Sequence, residues 1–326
     1  MSFGVILPNH VSIAGPEGYR TIATRAEELG FDHVWLGDHI VMPSQTESDY
    51  PDTDSGASPF DPEKPVPEPL STLAYLAGCT TRIKLGTFVL IVPQREPIST
   101  AKIISNVDYM SGGRFILGVG VGWQEEEFLA MGVETFKERG KVTDEYLRIY
   151  KELWTQDDPQ FEGRYSKFSH IKFYPKPVQK PHPPIWIGGY TKGAMRRAAA
   201  LGDVWSPVGQ QPQAALEPDD MAQAIQELAD MTERAGRPRD AVEVSFTVSL
   251  LFNPRSAGPR RTLTGTAEEI AGDVSRYKAA GVKHFVFAFG SDREGLPPID
   301  SFFGARVEEV VAAIEQFAEG VIPRVS

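Results

Sequence analysis

Asp38 and His39 are adjacent in the chain, and a carboxylate beside an imidazole is a pair suited to moving a proton near neutral pH. They lie where Val34-Trp35-Leu36 runs out, an apolar run too short for a helix and suited to a parallel strand buried on both faces. The C-terminal end of such a strand is where α/β enzymes keep their reactive groups, because loops there vary over a rigid scaffold. A plainer role is also open to both: an aspartate at a strand end caps a turn, and a lone histidine satisfies one hydrogen bond.

Two glycine-rich strand ends come next. Gly118-Val119-Gly120-Val121-Gly122-Trp123 is not the dinucleotide fingerprint, since Trp123 occupies the position of its third glycine. These glycines either touch a ligand or relieve crowding at a corner. Ile187-Gly188-Gly189-Tyr190-Thr191-Lys192 opens a helix containing Arg196 and Arg197. Bare amides at a helix N-terminus near a cation form an anion site, with phosphate the usual occupant; the alternative is an ordinary turn with solvated basic residues. The run Glu125-Glu126-Glu127 reads as the start of a short helix, where acids complement the dipole, with one of them reaching the mouth as the alternative. His10, His33, His170, His182 and His284 show no paired spacing, so no metal site is expected, and neither a Gly-x-Ser-x-Gly nor a Walker loop occurs.

The elements that must position these residues alternate from end to end. Candidate strands are Phe3 to Leu7, His33 to Leu36, Ile83 to Leu90, Arg114 to Val119, Pro184 to Ile187, Asp203 to Ser206, Val242 to Leu251 and His284 to Phe289. Helix-period segments fall at Pro16 to Leu29, Pro69 to Thr80, Pro97 to Met110, Phe136 to Trp154, Gly193 to Leu201, Pro218 to Ala235, Ala267 to Ala280 and Gly304 to Ala318. Thr266 with Glu269 makes a capping box for the seventh. The helix-Gly-polar-strand passage at Leu29-Gly30-Phe31-Asp32-His33 recurs at Leu201-Gly202-Asp203-Val204 and Ala280-Gly281-Val282-Lys283-His284. Eight such units predict an α/β protein built as a closed (β/α)8 TIM barrel, with an open doubly wound sheet as the alternative.

One barrel domain over residues 1–326 is expected, with insertions at about 41–69, 157–183 and 253–265. All three are expected over the C-terminal mouth. The aromatic residues of the second, with Trp123, suggest a largely apolar pocket, whereas Arg255, Arg260 and Arg261 in the third offer an anion contact.

Composition narrows the classes. A hydrophobic fraction of 41% and a charged fraction of 24% are those of a soluble globular protein. No secretory signal precedes the strand-like Phe3 to Leu7, and the single Cys79 excludes an internal disulfide, so a cytoplasmic location is expected. A net charge of −11 argues against nucleic acid or an anionic membrane as the main partner and leaves a small molecule.

Trp35 to His39, Leu85-Gly86-Thr87, Ser111-Gly112-Gly113-Arg114-Phe115 leading into Leu117 to Trp123, and Pro184 to Gly189 before Gly202-Asp203 together resemble the bacterial-luciferase-like superfamily, in the branch of probable coenzyme F420-dependent oxidoreductases. The similarity runs from Phe3 to Phe317. It implies a barrel with insertions over the mouth, usually a homodimer. It further implies that Asp38 contacts a deazaflavin ring, that His39 serves as acid or base, and that a non-prolyl cis bond between Phe88 and Val89, with a bulge in the Thr87 to Leu90 strand, backs the ring. The amides around Gly120 and Gly122, and those of Gly188, Gly189, Tyr190 and Thr191, match the family's positions for the ribityl and phosphate portion. Sugar-phosphate dehydrogenases of the superfamily carry a glutamate where this chain has Trp123, which argues against that substrate and suggests that the indole packs over the cofactor.

The leading expectation is hydride transfer between coenzyme F420 and a small organic substrate. An FMN-dependent monooxygenase of the same fold, or a barrel that binds a flavin or phosphorylated ligand without turnover, are the alternatives.

Overall fold

The computed structural model describes residues 1–8, 15–51, 56, 58, 60–211, 214–253, 260–290 and 306–325. His10 and Arg255 therefore lie outside the described residues, as do parts of the first and third insertions.

Strands and helices alternate as β1 (Ser2–Ile6), α1 (Pro16–Glu28), β2 (His33–Leu36), α2 (Pro69–Cys79), β3 (Lys84–Thr87), α3 (Pro97–Met110), β4 (Phe115–Gly120), α4 (Arg139–Thr155), β5 (Ile185–Gly188), α5 (Lys192–Leu201), β6 (Val204–Ser206), α6 (Pro218–Arg234), β7 (Glu243–Phe252), α7 (Ala267–Ala280), β8 (His284–Phe289) and α8 (Val307–Gly320). Each of these strands pairs in parallel with its sequence neighbours, β8 returns to β1 through Phe3↔Phe285, and β6 joins β7 through Val244↔Trp205. The sheet is thus a closed eight-strand barrel, as the alternation predicts.

Local chemistry explains the helix starts. Pro16, Pro69, Pro97 and Pro218 each stand in the first turn, where a missing N–H costs nothing. Glu68 and Glu96 cap α2 and α3 by accepting from Ser71 N and from Ile98 and Ser99 N. The Thr266–Glu269 capping box opens α7, and Gly281 closes it in the left-handed region at φ 111°.

Apolar side chains occupy two zones. Phe3, Phe31, Phe285, Phe287, Phe289 and Phe317 pack edge and face between strands and helices. Inside the barrel, Ile6, Trp35, Ile116, Trp186, Val204, Val286 and Ala288 fill the axis. Gly86 is required there, since a Cβ on it would stand 2.3 Å from Trp35 Cε3.

Two expectations change. The strand expected over Ile83 to Leu90 is interrupted after Thr87, and a short strand, Leu90–Ile91, resumes pairing with Val119 and Gly120. The Thr87 hydroxyl stands in for the ladder, donating to Gly118 O at 2.8 Å and accepting from Gly118 N at 3.0 Å. Between the two pieces lies the cis Phe88–Val89 bond. Secondly, the 157–183 insertion joins α4 to β5, so it is a helix-to-strand connection and does not cover the C-terminal mouth. Its hairpin, Phe161–Glu162 with Lys167–Phe168, is held to α4 by Glu145, which accepts from Arg164, Tyr165 and Ser166 N. Lys180 and His182 then return beneath the barrel, beside Ser2, His33 and His284 at the strand starts. The insertion at 41–69 does follow a strand, β2.

Candidate functional site

β2 delivers Asp38 and His39 to the C-terminal mouth, and the two side chains go different ways. The Asp38 carboxylate is fully buried, with Oδ1 2.8 Å from Arg95 Nη2 and Oδ2 accepting from Ile91 N at 2.9 Å. Burial pushes its pKa up from the ordinary value, while the Arg95 charge and the Ile91 N–H pull against that shift. Arg95 also reaches Glu68 at 3.2 Å. A carboxylate with no exposed surface and both oxygens engaged has no face to offer a ligand, so direct ring contact by Asp38, as the resemblance implies, does not fit this geometry. What Asp38 does is pin Ile91, just beyond the cis bond, to the end of β2.

His39 faces another carboxylate. Glu127, on the short helix Glu125–Ala130, has its Oε2 3.3 Å from His39 Nδ1, and its Oε1 accepts from Ile40 N at 2.7 Å and from Val41 N at 3.3 Å. Burial would raise the Glu127 pKa, but the bonds from His39, Gln94 and Ile40 outweigh it and hold the carboxyl below its ordinary value. His39 Nε2 has no hydrogen-bond partner among the described residues. A chain of edge-to-face rings begins at the imidazole: His39 to Phe60 at 4.9 Å, Phe60 to Tyr50 at 5.4 Å, Tyr50 to Trp123 at 5.2 Å. The apolar wall expected from the 157–183 insertion is thus supplied by the loop after β2 and by Trp123.

That loop is clipped down by the same acidic run. Glu126 accepts from Glu47 N, Ser48 N and Ser48 Oγ at 2.6, 3.0 and 2.8 Å. Its slight burial works against ionisation, but these bonds bring its pKa down to about 2. The Glu125-Glu126-Glu127 run does begin a helix, and Glu127 also reaches the mouth to hold the histidine while Glu126 holds the loop.

Three strand ends converge on Val89. A Cβ on Gly120 would stand 2.3 Å from Val89 Cγ2, and one on Gly188 would stand 2.9 Å from Val89 Cγ1. Glycine at both positions lets Val89 and the cis Phe88–Val89 segment sit across β4 and β5. Gly122 turns at φ 82°, and its carbonyl accepts from Arg139 Nε at 2.9 Å. Directly after Gly188, Gly189 turns at φ 102° and its carbonyl accepts from Trp205 Nε1 at 2.8 Å. Tyr190 is half-buried and Thr191 is exposed. Thr191 Oγ1 caps α5 by accepting from Ala194 N, leaving the other amides of the first turn without an intrahelical partner. Of the two expected cations there, Arg197 is committed to Asp144 and Gly140 O, while Arg196 is exposed. Arg260 is likewise committed, to Asp273 at 2.7 and 2.9 Å, and is no free anion contact.

The residues present fit an elongated ligand with a flat apolar ring and an anionic tail. Phe88 and Val89 offer the apolar surface, and the bare Gly188 to Thr191 backbone at a helix N-terminus continues from it.

A cavity of about 400 Å³ opens at the opposite end, among the strand starts. The polar groups at its centre bond one another. Trp35 Nε1 donates to His33 Nδ1 at 2.6 Å, so His33 donates from Nε2 to Ser2 Oγ at 3.0 Å. Ser2 then donates to His284 Nδ1 at 2.7 Å, and His284 Nε2 to Glu243 at 2.8 Å. A saturated chain at the N-terminal face of a barrel reads as structural support.

Comparison with known proteins follows the same geometry. The family described as luciferase-like monooxygenase matches residues 1–261. A Mycobacterium tuberculosis protein described as uncharacterized is 34% identical over 67% of this chain and 73% of its own length. The F420-dependent glucose-6-phosphate dehydrogenase of Amycolatopsis mediterranei is 32% identical over 58% of this chain and 52% of its own. The FMNH2-dependent dimethylsulfone monooxygenase of Pseudomonas putida is 34% identical over 39% of this chain and 36% of its own. Among solved structures, an F420-dependent secondary alcohol dehydrogenase in complex with an F420-acetone adduct superposes with a TM-score of 0.74 at 18% identity, covering 100% of this chain and 99% of the other.

Proposed function

The chain belongs to the luciferase-like monooxygenase family, and from that premise we propose that it is an oxidoreductase transferring a hydride between coenzyme F420 and a small organic substrate. The observation that carries the reading is His39: at the end of β2, fixed through Nδ1, with Nε2 unpartnered among the described residues and the ring packed on the Phe60 end of the aromatic wall. The longer match to the F420-dependent relative than to the FMNH2-dependent one supports F420 over FMN. The relative's sugar phosphate is not carried over, since Trp123 replaces the glutamate those enzymes share.

When bound, F420 supplies the two-electron hydride chemistry. Phe88, Val89, Gly120, Gly122 and Trp123 would border its ring and ribityl portion, and Gly188, Gly189, Tyr190 and Thr191 its phosphate. The protein holds the substrate carbon in reach and excludes water with Tyr50, Phe60 and Trp123. Removing a hydride from a hydroxyl-bearing carbon leaves a proton on oxygen for His39 Nε2 to take; in the reverse direction Nε2 returns it. Asp38 acts indirectly, by fixing Ile91 and the segment that carries Val89. No helix among the described residues is long and apolar enough to cross a membrane. A cytoplasmic homodimer completes the proposal.

The test is turnover of F420 with a panel of alcohols and enones by wild type and His39→Ala. Loss of turnover by a factor of about 10² to 10⁴ with F420 affinity retained is expected. Oxygen-dependent turnover with FMN instead would move the protein to the monooxygenase reading, and binding without turnover to the non-catalytic one.

A further inference from the structure

Glu127 is assigned no part in the proton transfer proposed above. Its side chain is 3% exposed; it engages His39 and the backbone of the two residues that follow it, with the Gln94 side chain beside it as a further donor. A buried carboxylate with that set of partners does two things at once. Oε1 fixes the backbone turn through Ile40 and Val41 N, which sets where the imidazole starts. Oε2 meets Nδ1, which sets what the imidazole is.

The second effect is chemical. An ionised carboxylate is an acceptor with nothing to donate. Facing one, a neutral imidazole carries its proton on Nδ1, so Nε2 holds the lone pair. Asp38, the adjacent acid, is not a rival for this role, because its oxygens are taken by Arg95 and Ile91. The phenyl ring of Phe60 across His39 offers no proton acceptor of comparable strength.

We infer that Glu127 is a positioning residue that locks His39 as the Nδ1–H tautomer, presents Nε2 to the substrate as the base, and stabilises the imidazolium that forms there. This is the task of the carboxylate in serine-protease triads, reached here by a helix that follows the Gly120–Gly122 turn. The inference rests on the proton-transfer reading of His39, but its first test does not.

That test is the ¹⁵N spectrum of His39 in the cofactor-free wild type, assigned by its loss in His39→Ala. In the uncharged imidazole a protonated Nδ1 and a bare Nε2 are expected; the proton on Nε2 would overturn the inference. Glu127→Gln is the matching variant, because its carbonyl can still accept from Ile40 and Val41 while its NH₂ must donate to Nδ1. The expected outcome is a switch of His39 to the Nε2–H form, with F420 affinity changed less than twofold and turnover reduced about a hundredfold or more. A variant that keeps the wild-type tautomer and turnover would reduce Glu127 to a backbone anchor. Full activity in both His39→Ala and Glu127→Gln would refute the acid-base reading itself, and the wild-type spectrum would still decide the tautomer.

Discussion

Asp38 and His39 are one peptide bond apart, yet one carboxylate-cation pair is sealed inside the protein and the other side chain keeps a free nitrogen at the mouth. Both side chains are nearly buried, so their partners set the expected mutant behaviour. Asp38→Asn leaves Arg95 largely buried with only Glu68 as counter-charge, so it should destabilise the fold by about 3 kcal/mol, the lower end for a broken buried pair. Urea unfolding reads this, and a loss under about 1 kcal/mol would contradict the ion-pair account. His39→Ala should remove turnover and, by leaving the buried Glu127 carboxylate without its imidazole, should also lower the unfolding midpoint. The sequence displays the dipeptide at a strand end, but not the partners, because Arg95 and Glu127 lie 57 and 88 residues away and carry no local pattern. For the same reason a contact role looked natural for Asp38: a strand-end carboxylate and a buried one read alike until Arg95 is brought beside it.

At the scale of elements, the helix Glu125–Ala130 is the fastener between the glycine turn of β4 and the loop after β2. Glu126 holds residues 47–48, and Glu127 holds residues 39–41. Because the folded Glu126 pKa lies near 2 against an ordinary 4.5, its contribution is present above about pH 4.5 and is lost as pH falls from there toward 2. Glu126→Gln should therefore loosen the loop at every pH above that window. Proteolysis within residues 41–51 should quicken several-fold with little change in global unfolding, and unchanged cleavage would deny the clasp. The period-3.6 and short apolar patterns made nearly every barrel element legible, with ends displaced by a few residues. The break in the third strand was not legible from periodicity, since Phe88-Val89-Leu90 continues the apolar run, and it is the Thr87 hydroxyl that ends the ladder. The side of the barrel taken by the 157–183 insertion was misread because its aromatic content was weighed before its position between a helix and a strand.

For the whole molecule, the two barrel ends divide the labour. The C-terminal end carries the His39 Nε2, unpartnered among the described residues, and the open helix amides, while the N-terminal end carries a closed chain of donors and acceptors from Trp35 to Glu243. Burial holds His33 well below the ordinary 6.5, and burial also lowers His284 although Glu243 opposes it. A depressed folded pKa gives stability that is present above the unfolded value and lost as pH falls below it. The melting temperature should accordingly hold above about pH 7 and fall as pH drops from about 6.5, while a flat profile down to pH 5 would contradict the neutral-histidine chain. None of this network was foreseen, since Ser2, His33, Glu243 and His284 belong to strands that the closed barrel alone brings together.

The central claim, that the mouth is built for a deazaflavin, is tested most directly by titrating the purified protein with coenzyme F420 and, separately, with FMN, following ring fluorescence. The account predicts micromolar F420 binding with FMN at least about tenfold weaker, a difference of about 1.4 kcal/mol. Tighter binding of FMN, or binding of neither, would contradict it.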